Sequence, residues 1–265
     1  MSIKLVAMIT RRFMLGAPLA AAAQTSGFPW PAGKRFAVSL SFDDARLSQI
    51  DVGQRLLADL KLKATFYVSI PAMLKRLAGW EQMIRDGHEI GNHSFTHPCT
   101  GNYRFTRPLE DFSIEEIAAD IDRATAEIGS RLGVRPKSFA YPCGQKFIGR
   151  GRAARSYVPL IADRFQTGRG YYDEMPNVPA VCDMAALMGT HGDGLEFPAW
   201  KGILDKAARE GRWVIFAGHE IGQLRHQSTS TETLRAFAAY AGDPANSVWL
   251  DTVSAIGSYV ATHRA

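Results

Sequence analysis

Short apolar runs typical of buried strands alternate along the chain with longer segments whose apolar residues recur at helical spacing. The runs that predict strands are 36–42, 64–69, 88–93, 137–141, 165–168, 213–217 and 247–250. The segments that predict helices are 51–63, 71–85, 113–133, 155–164, 200–209, 232–241 and 252–263. Residues 101–112 are polar and aromatic, and they predict a long loop.

The alternation of strand and helix predicts one α/β domain, a parallel sheet or barrel with its helices outside. No internal repeat or linker divides the chain. In such a fold, active sites lie at the carboxyl ends of the strands. The candidate catalytic and metal-binding residues directly follow predicted strands, so we expect them to lie close together at that end of the sheet.

The composition is that of an ordinary globular protein, with 265 residues, 46% hydrophobic and 22% charged. The formal charge of +5 falls to +2 without residues 1–23, which carry Lys4, Arg11 and Arg12 and no acidic residue. The remaining basic residues form no stripe with interleaved aromatics, so nucleic-acid binding is not expected.

Residues 1–23 have the features of a signal peptide. The basic pair Arg11 and Arg12 precedes a short apolar stretch and an alanine run that ends at Ala23. The pair and the Phe-Met-Leu that follows resemble a twin-arginine signal. An ordinary secretory signal and a misplaced start are the alternatives. The apolar stretch is too short to span a membrane. We therefore expect an exported bacterial protein, periplasmic or secreted, with its domain over 24–265.

Two adjacent carboxylates, Asp43 and Asp44, stand at the end of the first predicted strand. Two neighbouring ionised carboxylates repel each other unless a bound group stabilises their charges. A metal ion can keep one ionised while the other faces a reacting water. The alternative is a pair that caps an ordinary turn.

His93 and His97 are four residues apart, a spacing that lets two imidazoles converge on one cation. Imidazole nitrogens together with the carboxylate of Asp44 suit zinc and related divalent metals. The alternative is two unrelated surface histidines, but the Asp-Asp pair upstream and Pro98 directly after favour the metal site.

Two further segments follow strands. The turn Tyr141-Pro142-Cys143-Gly144 can aim a backbone N–H into a pocket, as an oxyanion hole requires, or it can be a plain turn. His219 comes directly after the strand 213–217. A lone histidine there is more often structural than catalytic unless other site residues converge on it.

Together these segments resemble the polysaccharide deacetylase family, carbohydrate esterase family 4 with its NodB-type domain. The opening motif corresponds to Ser41–Ala45, the H-[ST]-x-x-H-P motif to His93–Pro98, the third motif to Ala140–Gly144 and the late histidine to His219. Their order and spacing match from about residue 35 to 255.

The resemblance implies a distorted (β/α) barrel of about seven strands and a hydrolase that removes acetyl groups from an acetylated glycan, most of all an N-acetylglucosamine-type amide. Asp44, His93 and His97 would hold a divalent metal, first of all zinc, with cobalt, nickel or manganese as alternatives. Asp43 would be the base and His219 the acid. Tyr141, Pro142, Cys143 and Gly144 would line the oxyanion and substrate site. No other cofactor, no protein partner and no membrane span are expected.

The chain departs from the family pattern at two positions. The third motif has Ala140 in place of the arginine that braces the catalytic aspartate in the family, and the fourth motif's aspartate, which tunes the late histidine, is not recognisable. The possible substitutes for the arginine are Arg46, Lys146 and Arg169, and those for the aspartate are Asp173 and Asp183. The candidates for stacking on a sugar are Trp80, Tyr141, Trp200 and Trp213, and the alternative is that they belong to the core, as tryptophan at such positions usually does.

Three cysteines allow at most one internal disulfide, and their spacing forms no C-x-x-C metal site. The resemblance brings the loops of Cys99 and Cys143 to one barrel mouth, where the two could form a bridge. The alternative is that Cys99, Cys143 and Cys182 are all small buried thiols.

Two other functions use the same residues. An acetyl-xylan-type esterase would cleave a C–O bond in place of the amide. A non-catalytic homologue would bind glycan or metal without turnover, but it would need neither Asp43 nor His219.

Overall fold

The computed structural model describes residues 27–103 and 107–264, so the leader 1–23 lies outside the described residues. Twelve strands lie within these described residues. In order from β1 to β12, they are Phe36–Asp43, Ala64–Val68, Glu89–Asn92, Ser138–Ala140, Phe147–Ile148, Arg155–Ser156, Thr167–Arg169, Thr190–His191, Trp213–Gly218, Glu220–Gly222, Ser228–Ser230 and Val248–Leu250.

Seven parallel strands form one sheet that curls into a half-barrel, in the order β7-β4-β3-β2-β1-β9-β8. The parallel strand β12 pairs with the first three residues of β1, while β2 pairs with the last four. The two end strands β7 and β8 are not paired with each other, so the barrel is open between them. The predicted fold class is confirmed.

All eight residues of β1 are buried, because strands pair with it on both edges and helices cover the sheet. The α-helices, from α1 to α8, are Arg55–Asp59, Ile70–Met73, Leu77–Arg85, Ile114–Leu132, Val158–Arg164, Phe197–Glu210, Thr231–Gly242 and Val253–His263. A wide π-helical turn, Gln49–Gln54, precedes α1. Short 3-10 turns occur at Leu74–Arg76, Gly101–Tyr103, Leu109–Asp111, Pro142–Gly144, Gly151–Ala153 and Pro244–Asn246.

The described structure differs from the predicted elements mainly in its shortest strands. The predicted helix 51–63 is replaced by the π-helical turn and α1, and the predicted loop 101–112 contains two 3-10 turns. The two-residue strand β8 and the small pairs β5–β6 and β10–β11 were not predicted. Strands of two or three residues contain too few positions to show an alternating pattern.

The four aromatic residues considered for sugar stacking belong to the core. Trp80, Tyr141 and Trp213 are completely buried, and Trp200 is 1% exposed. The indole of Trp200 stacks on Phe216, with ring centroids 3.9 Å apart. The stacking prediction for these side chains is therefore wrong, because each ring is enclosed by neighbouring side chains and has no face left for a ligand.

Within the described part of the chain, no helix has the length and apolar character needed to cross a membrane.

Helix α4 begins with a capping box that makes a specific stability prediction. The Ser113 hydroxyl accepts from the Glu116 N–H at 3.2 Å, and the Glu116 carboxylate accepts from the Ser113 N–H at 2.8 Å. Replacing Ser113 with alanine should lower the free energy of unfolding by about 0.5–2 kcal/mol, measured by urea denaturation. Ser130→Ala on the exposed face of the same helix is the control and should stay within about 0.5 kcal/mol of wild type. Equal stability of all three proteins would contradict the capping role.

Candidate metal centre and active site

The structure brings the residues singled out in the sequence to one end of the sheet. Asp43 ends β1, His93 follows β3, the turn 141–144 follows β4 and His219 follows β9. Because all of these strands are parallel, their carboxyl ends lie on the same rim of the half-barrel.

Asp44, His93 and His97 form a compact set of ligand atoms. Oδ1 of Asp44 lies 3.5 Å from Nε2 of His93 and 3.3 Å from Nε2 of His97, and the two Nε2 atoms are 3.2 Å apart. Ligands that each lie about 2.0–2.2 Å from a shared divalent metal are themselves roughly 3.0–3.5 Å apart. One carboxylate and two imidazoles at these spacings therefore fit a single zinc-like ion.

Neighbouring groups orient two of these ligands. Nδ1–H of His93 donates to the Ala140 carbonyl at 2.9 Å, which leaves the lone pair of Nε2 facing the other ligands. Oδ2 of Asp44 accepts from Nη2 of Arg46 at 2.9 Å. Burial by itself would raise the pKa of Asp44, but its interactions with His93 and His97 outweigh it and hold this pKa below its usual range.

The loop that carries the two histidines is fixed from its own strand and from helix α4. Oδ1 of Asn92 accepts from the Ser94 N–H at 2.7 Å, and Nδ2 of Asn92 donates to the Ile121 carbonyl at 3.0 Å. Asp120 on α4 accepts from the N–H of Phe95 at 2.8 Å. These bonds hold the loop without contacting the ligand nitrogens.

Backbone strain is concentrated around this site. Of the eight non-glycine residues with positive φ in the described chain, five are Asp44, Ala45, Ser94, His97 and Cys143. Left-handed conformations cost free energy for residues with a Cβ, and they persist where the surrounding contacts impose them. Because these residues are concentrated on one rim, we infer that the positions required of their side chains, and not low-energy backbone conformations, determine the local structure there.

Asp43 is paired with a buried arginine from a neighbouring strand. The Arg169 guanidinium is completely buried and forms a short, charged hydrogen bond with Oδ1 of Asp43. Arg169 on β7 is the direct register partner of Ala140 on β4. The arginine that the third motif lacks is thus supplied one strand further along the sheet.

The other two candidates for this role, Arg46 and Lys146, make different contacts. Arg46 pairs with Asp44, and the Lys146 ammonium lies 5.9 Å from the centre of the Tyr141 ring. Burial alone would raise the pKa of Asp43, but the positive charges of Arg169, His93 and His219 outweigh it and lower this pKa. Asp43 is therefore ionised near neutral pH.

His219 is paired with Asp193, a residue that the sequence reasoning missed. Nδ1–H of His219 donates to Oδ2 of Asp193 at 2.8 Å, and Oδ1 of this buried carboxylate accepts from Thr229 Oγ1 at 2.9 Å. Burial alone would lower the pKa of His219, but the hydrogen bond and charge of Asp193, with the charges of Asp43 and Asp44, raise it.

Neither Asp173 nor Asp183, the two possible substitutes for the fourth-motif aspartate, is the partner of His219. Asp173 accepts from the Gly189 N–H at 2.9 Å, and Asp183 accepts from the Ala185 N–H at 2.9 Å. Both carboxylates serve local turns. Asp193 follows the two-residue strand β8, and the Gly-Asp-Gly sequence around it is the one local signal that could have indicated a turn at a strand end.

Gln49 was also not predicted as a site residue, and its side chain links Asp43 to His219. Its buried amide donates to the carbonyl of Asp43 at 2.6 Å and to that of His219 at 2.8 Å. The π-helical turn Gln49–Gln54 places this side chain under the rim. Insertions of this kind often occur at functional sites.

The turn after β4 presents its backbone to the site. The Tyr141 ring is buried and its hydroxyl donates to the Ala185 carbonyl at 2.6 Å, so this ring faces the core. Pro142 is buried, while Cys143 and Gly144 are partly exposed and both have positive φ. The Tyr141 side chain therefore does not reach a substrate, whereas the backbone of Cys143 and Gly144 borders the rim.

A disulfide joins this turn to the histidine loop. Cys99 and Cys143 are bonded, with their Cα atoms 5.9 Å apart, and Cys182 is free. The alternative of three separate thiols is therefore wrong. Because the two sulfurs are bonded to each other, they do not form a second metal site with the nearby His97.

Two open clefts share Glu220, the neighbour of His219, in their lining. One of about 550 Å³ is bordered by Asp44, His97 and Phe95, and one of about 570 Å³ is bordered by Ser48 and His226. The first cleft therefore opens onto the metal set.

The sequence comparisons point to one family. Residues 31–155 match the family model for polysaccharide deacetylase. The chain is 31% identical over 84 residues to the Bacillus subtilis protein YlxY and 30% identical over 139 residues to a gellan lyase from Bacillus sp.. These matches cover 32% and 52% of this chain, but only 24% and 5% of the two relatives. The chain therefore spans a quarter or less of the curated relatives it matches.

The comparisons of structure agree on the fold. A protein from Mycobacterium smegmatis assigned as a polysaccharide deacetylase superimposes with a TM-score of 0.63 at 17% identity, covering 89% of this chain and 93% of that one. A family 4 acetyl xylan esterase from Clostridium thermocellum with a cobalt ion gives 0.54 at 17% identity, covering 84% and 91%. The Bacillus subtilis peptidoglycan deacetylase PdaC gives 0.51 at 19% identity, covering 87% and 93%. Over residues 31–155, a little under half of its length, the chain therefore matches the polysaccharide deacetylase family, and the structural neighbours share its fold.

Proposed function

We propose that this protein is a metal-dependent hydrolase that removes acetyl groups from an acetylated glycan, with an N-acetylglucosamine-type amide as its main substrate. The observation that carries the proposal is the pair of buried ionic contacts, Arg169 with Asp43 and Asp193 with His219, on either side of the metal set. Simple binding of metal or glycan would require neither pair. The cleft of about 550 Å³ bordered by Asp44 and His97 gives a substrate access to the metal set.

Asp44, His93 and His97 would hold the ion, with zinc as the first choice and cobalt, nickel or manganese as alternatives. When bound, a divalent ion supplies a positive charge that polarises the acetyl carbonyl and makes a water more acidic. Asp43, ionised and held by Arg169, takes the proton of the attacking water. The Cys143 N–H would stabilise the developing oxyanion.

His219 acts as the acid. An amine leaving group requires a proton before the C–N bond can break, and His219 is protonated over a wider pH range because Asp193 raises its pKa. Positive neighbours thus keep Asp43 ionised as the base, and negative neighbours keep His219 protonated as the acid.

An O-deacetylase acting on acetylated xylan would use the same residues, and the acetyl xylan esterase among the similar folds keeps this alternative open. A non-catalytic role is the other alternative, since a family 4 pseudoenzyme, in a mutant with restored activity, has a similar fold. Acetate release from N-acetylglucosamine oligomers and from acetylated xylan separates the three. Release from the first favours the proposal, release from xylan alone favours the esterase, and release from neither rejects both.

The metal assignment predicts which variants lose the ion. His93→Ala and Asp44→Asn should contain less than stoichiometric metal after purification, because losing a ligand costs more than the roughly 10–100-fold in affinity typical of an outer-shell change. Asp43→Asn is the matched control. It should keep its metal and lose about 10²–10⁴ in rate. Equal metal content in all of these proteins by elemental analysis would reject the site.

The Asp193–His219 pair predicts a shift in the pH profile. His219 must be protonated, so activity should fall as the pH rises through its raised pKa. Asp193→Asn removes the carboxylate that raises this pKa, and the alkaline limb of kcat/KM should move to lower pH. Thr229→Val, which removes only the hydroxyl bonded to Asp193, should shift the limb less. An unmoved alkaline limb in Asp193→Asn would show that His219 is not the titrating acid.

We further propose that the protein is exported and matures near Gln24, and the Cys99–Cys143 bridge supports an oxidising destination. The exported protein should lack about the first 23 residues by intact mass. It should have one reactive thiol when denatured and three after reduction. Lysine replacement of Arg11 and Arg12 should block export by the twin-arginine route. Export with the leader still attached, or three thiols before reduction, would argue against this proposal.

A further inference from the structure

Three aromatic rings that the proposed reaction does not use cluster at the open side of the half-barrel. Tyr171 and Tyr172 follow β7, and His191 ends β8. The Tyr172 ring stacks on His191 with centroids 4.3 Å apart and planes 15° apart. The Tyr171 ring stands edge-on to the same histidine, at 5.8 Å and 75°.

This cluster lies directly beside the catalytic rim. The Tyr171 ring is edge-on to His219, with centroids 5.4 Å apart. The Tyr171 backbone also packs on the turn after β4, where a Cβ on Gly144 would come within 2.9 Å of the Tyr171 carbonyl oxygen. Tyr171 therefore links the pair of Tyr172 and His191 to His219, because its ring also contacts the Tyr172 ring, with centroids 4.7 Å apart.

His191 is held as a rigid support for Tyr172. The Tyr171 hydroxyl lies 3.0 Å from Nδ1 of His191, and the Tyr172 hydroxyl lies 3.4 Å from its Nε2. The Tyr171 hydroxyl, on an edge-on ring, restricts rotation of the imidazole, while the Tyr172 hydroxyl makes a longer contact from its stacked ring. One face of the Tyr172 ring is therefore covered by His191 in a defined orientation.

Tyr172 itself has the features of a binding residue. Its φ is 63°, a strained value for a bulky side chain, and it is nevertheless 58% exposed. No core burial compensates for this strain or for leaving an aromatic ring in water. Strained residues of this kind are concentrated at functional sites, and the exposed ring face is free for a ligand.

We propose that Tyr172, supported by His191, is a stacking platform for a pyranose ring of the bound glycan on the His219 side of the metal site. The platform rests on the proposed function for the identity of its ligand. A pyranose has an apolar face of C–H groups and a rim of hydroxyls. A flat aromatic ring matches that face, and the phenol at its edge can bond a hydroxyl.

The test measures glycan binding directly. Calorimetric titration of the full-length mature protein with N-acetylglucosamine tetramers, and separately with acetylated xylan oligomers, gives the affinity without requiring turnover. Tyr172→Ala should weaken binding of the better ligand roughly 3- to 10-fold, the usual range for one aromatic contact. Tyr172→Phe keeps the ring and should stay within about twofold of wild type. Tyr172→Asn, a residue type that tolerates left-handed backbone, covers the case in which the alanine variant does not fold.

Tyr259 provides a matched control. It stacks on His263 with centroids 3.8 Å apart, but its hydroxyl donates to Pro29 and its ring packs on Trp249, which pairs with the start of β1 away from the rim. Tyr259→Ala should therefore bind glycan like wild type.

Two results would overturn the platform: wild-type affinity in both Tyr172→Ala and Tyr172→Asn, or no binding of either oligomer by the wild type. Failure of the proposed function gives a different result. The wild type would release no acetate, while binding would still weaken in Tyr172→Ala.

Discussion

The buried ion pair between Arg169 and Asp43 is the constraint on which the rest of the site depends. Both charges are taken out of water at the centre of the rim, and removing either one would leave an unpaired buried charge, typically at a cost of about 3–5 kcal/mol. The pair joins the carboxyl ends of β1 and β7, which are not neighbours in the sheet. It also fixes Asp43 in its ionised form, the only form that can accept a proton.

Two consecutive carboxylates can stay ionised because they face different partners. Asp43 faces Arg169, while Asp44 faces two imidazoles and the Arg46 guanidinium. The left-handed conformation of Asp44 makes this separation possible, because it turns the chain sharply directly after the strand. The same negative charges, with Asp193, raise the pKa of His219 across the rim. Asp43 and His219 therefore stabilise each other's charged forms.

The sequence was sufficient to predict the long helices and strands and to identify the candidate site residues that lie in local motifs. The buried strands 36–43 and 213–218 and the capped helix 114–132 have strong patterns, and the motifs around Asp44 and His93 are contiguous. The Arg169–Asp43 pair spans 126 positions, so no local pattern could rank Arg169 above Arg46. Asp193 was missed because it follows a strand of two residues. The sequence also could not decide whether the tryptophans contact a sugar or belong to the core, because exposure depends on tertiary packing.

The role of the Arg169–Asp43 pair is tested most directly by moving the arginine from β7 to β4, the strand that carries it in the family motif. Ala140 and Arg169 are register partners on adjacent strands, so the double variant Ala140→Arg with Arg169→Ala places a guanidinium beside the same carboxylate. Acetate release from N-acetylglucosamine oligomers should fall about 10²–10⁴-fold in Arg169→Ala, the range for losing a working general base. It should recover in part in the double variant. Full activity in Arg169→Ala would contradict the account, since Asp43 would then work without its buried partner.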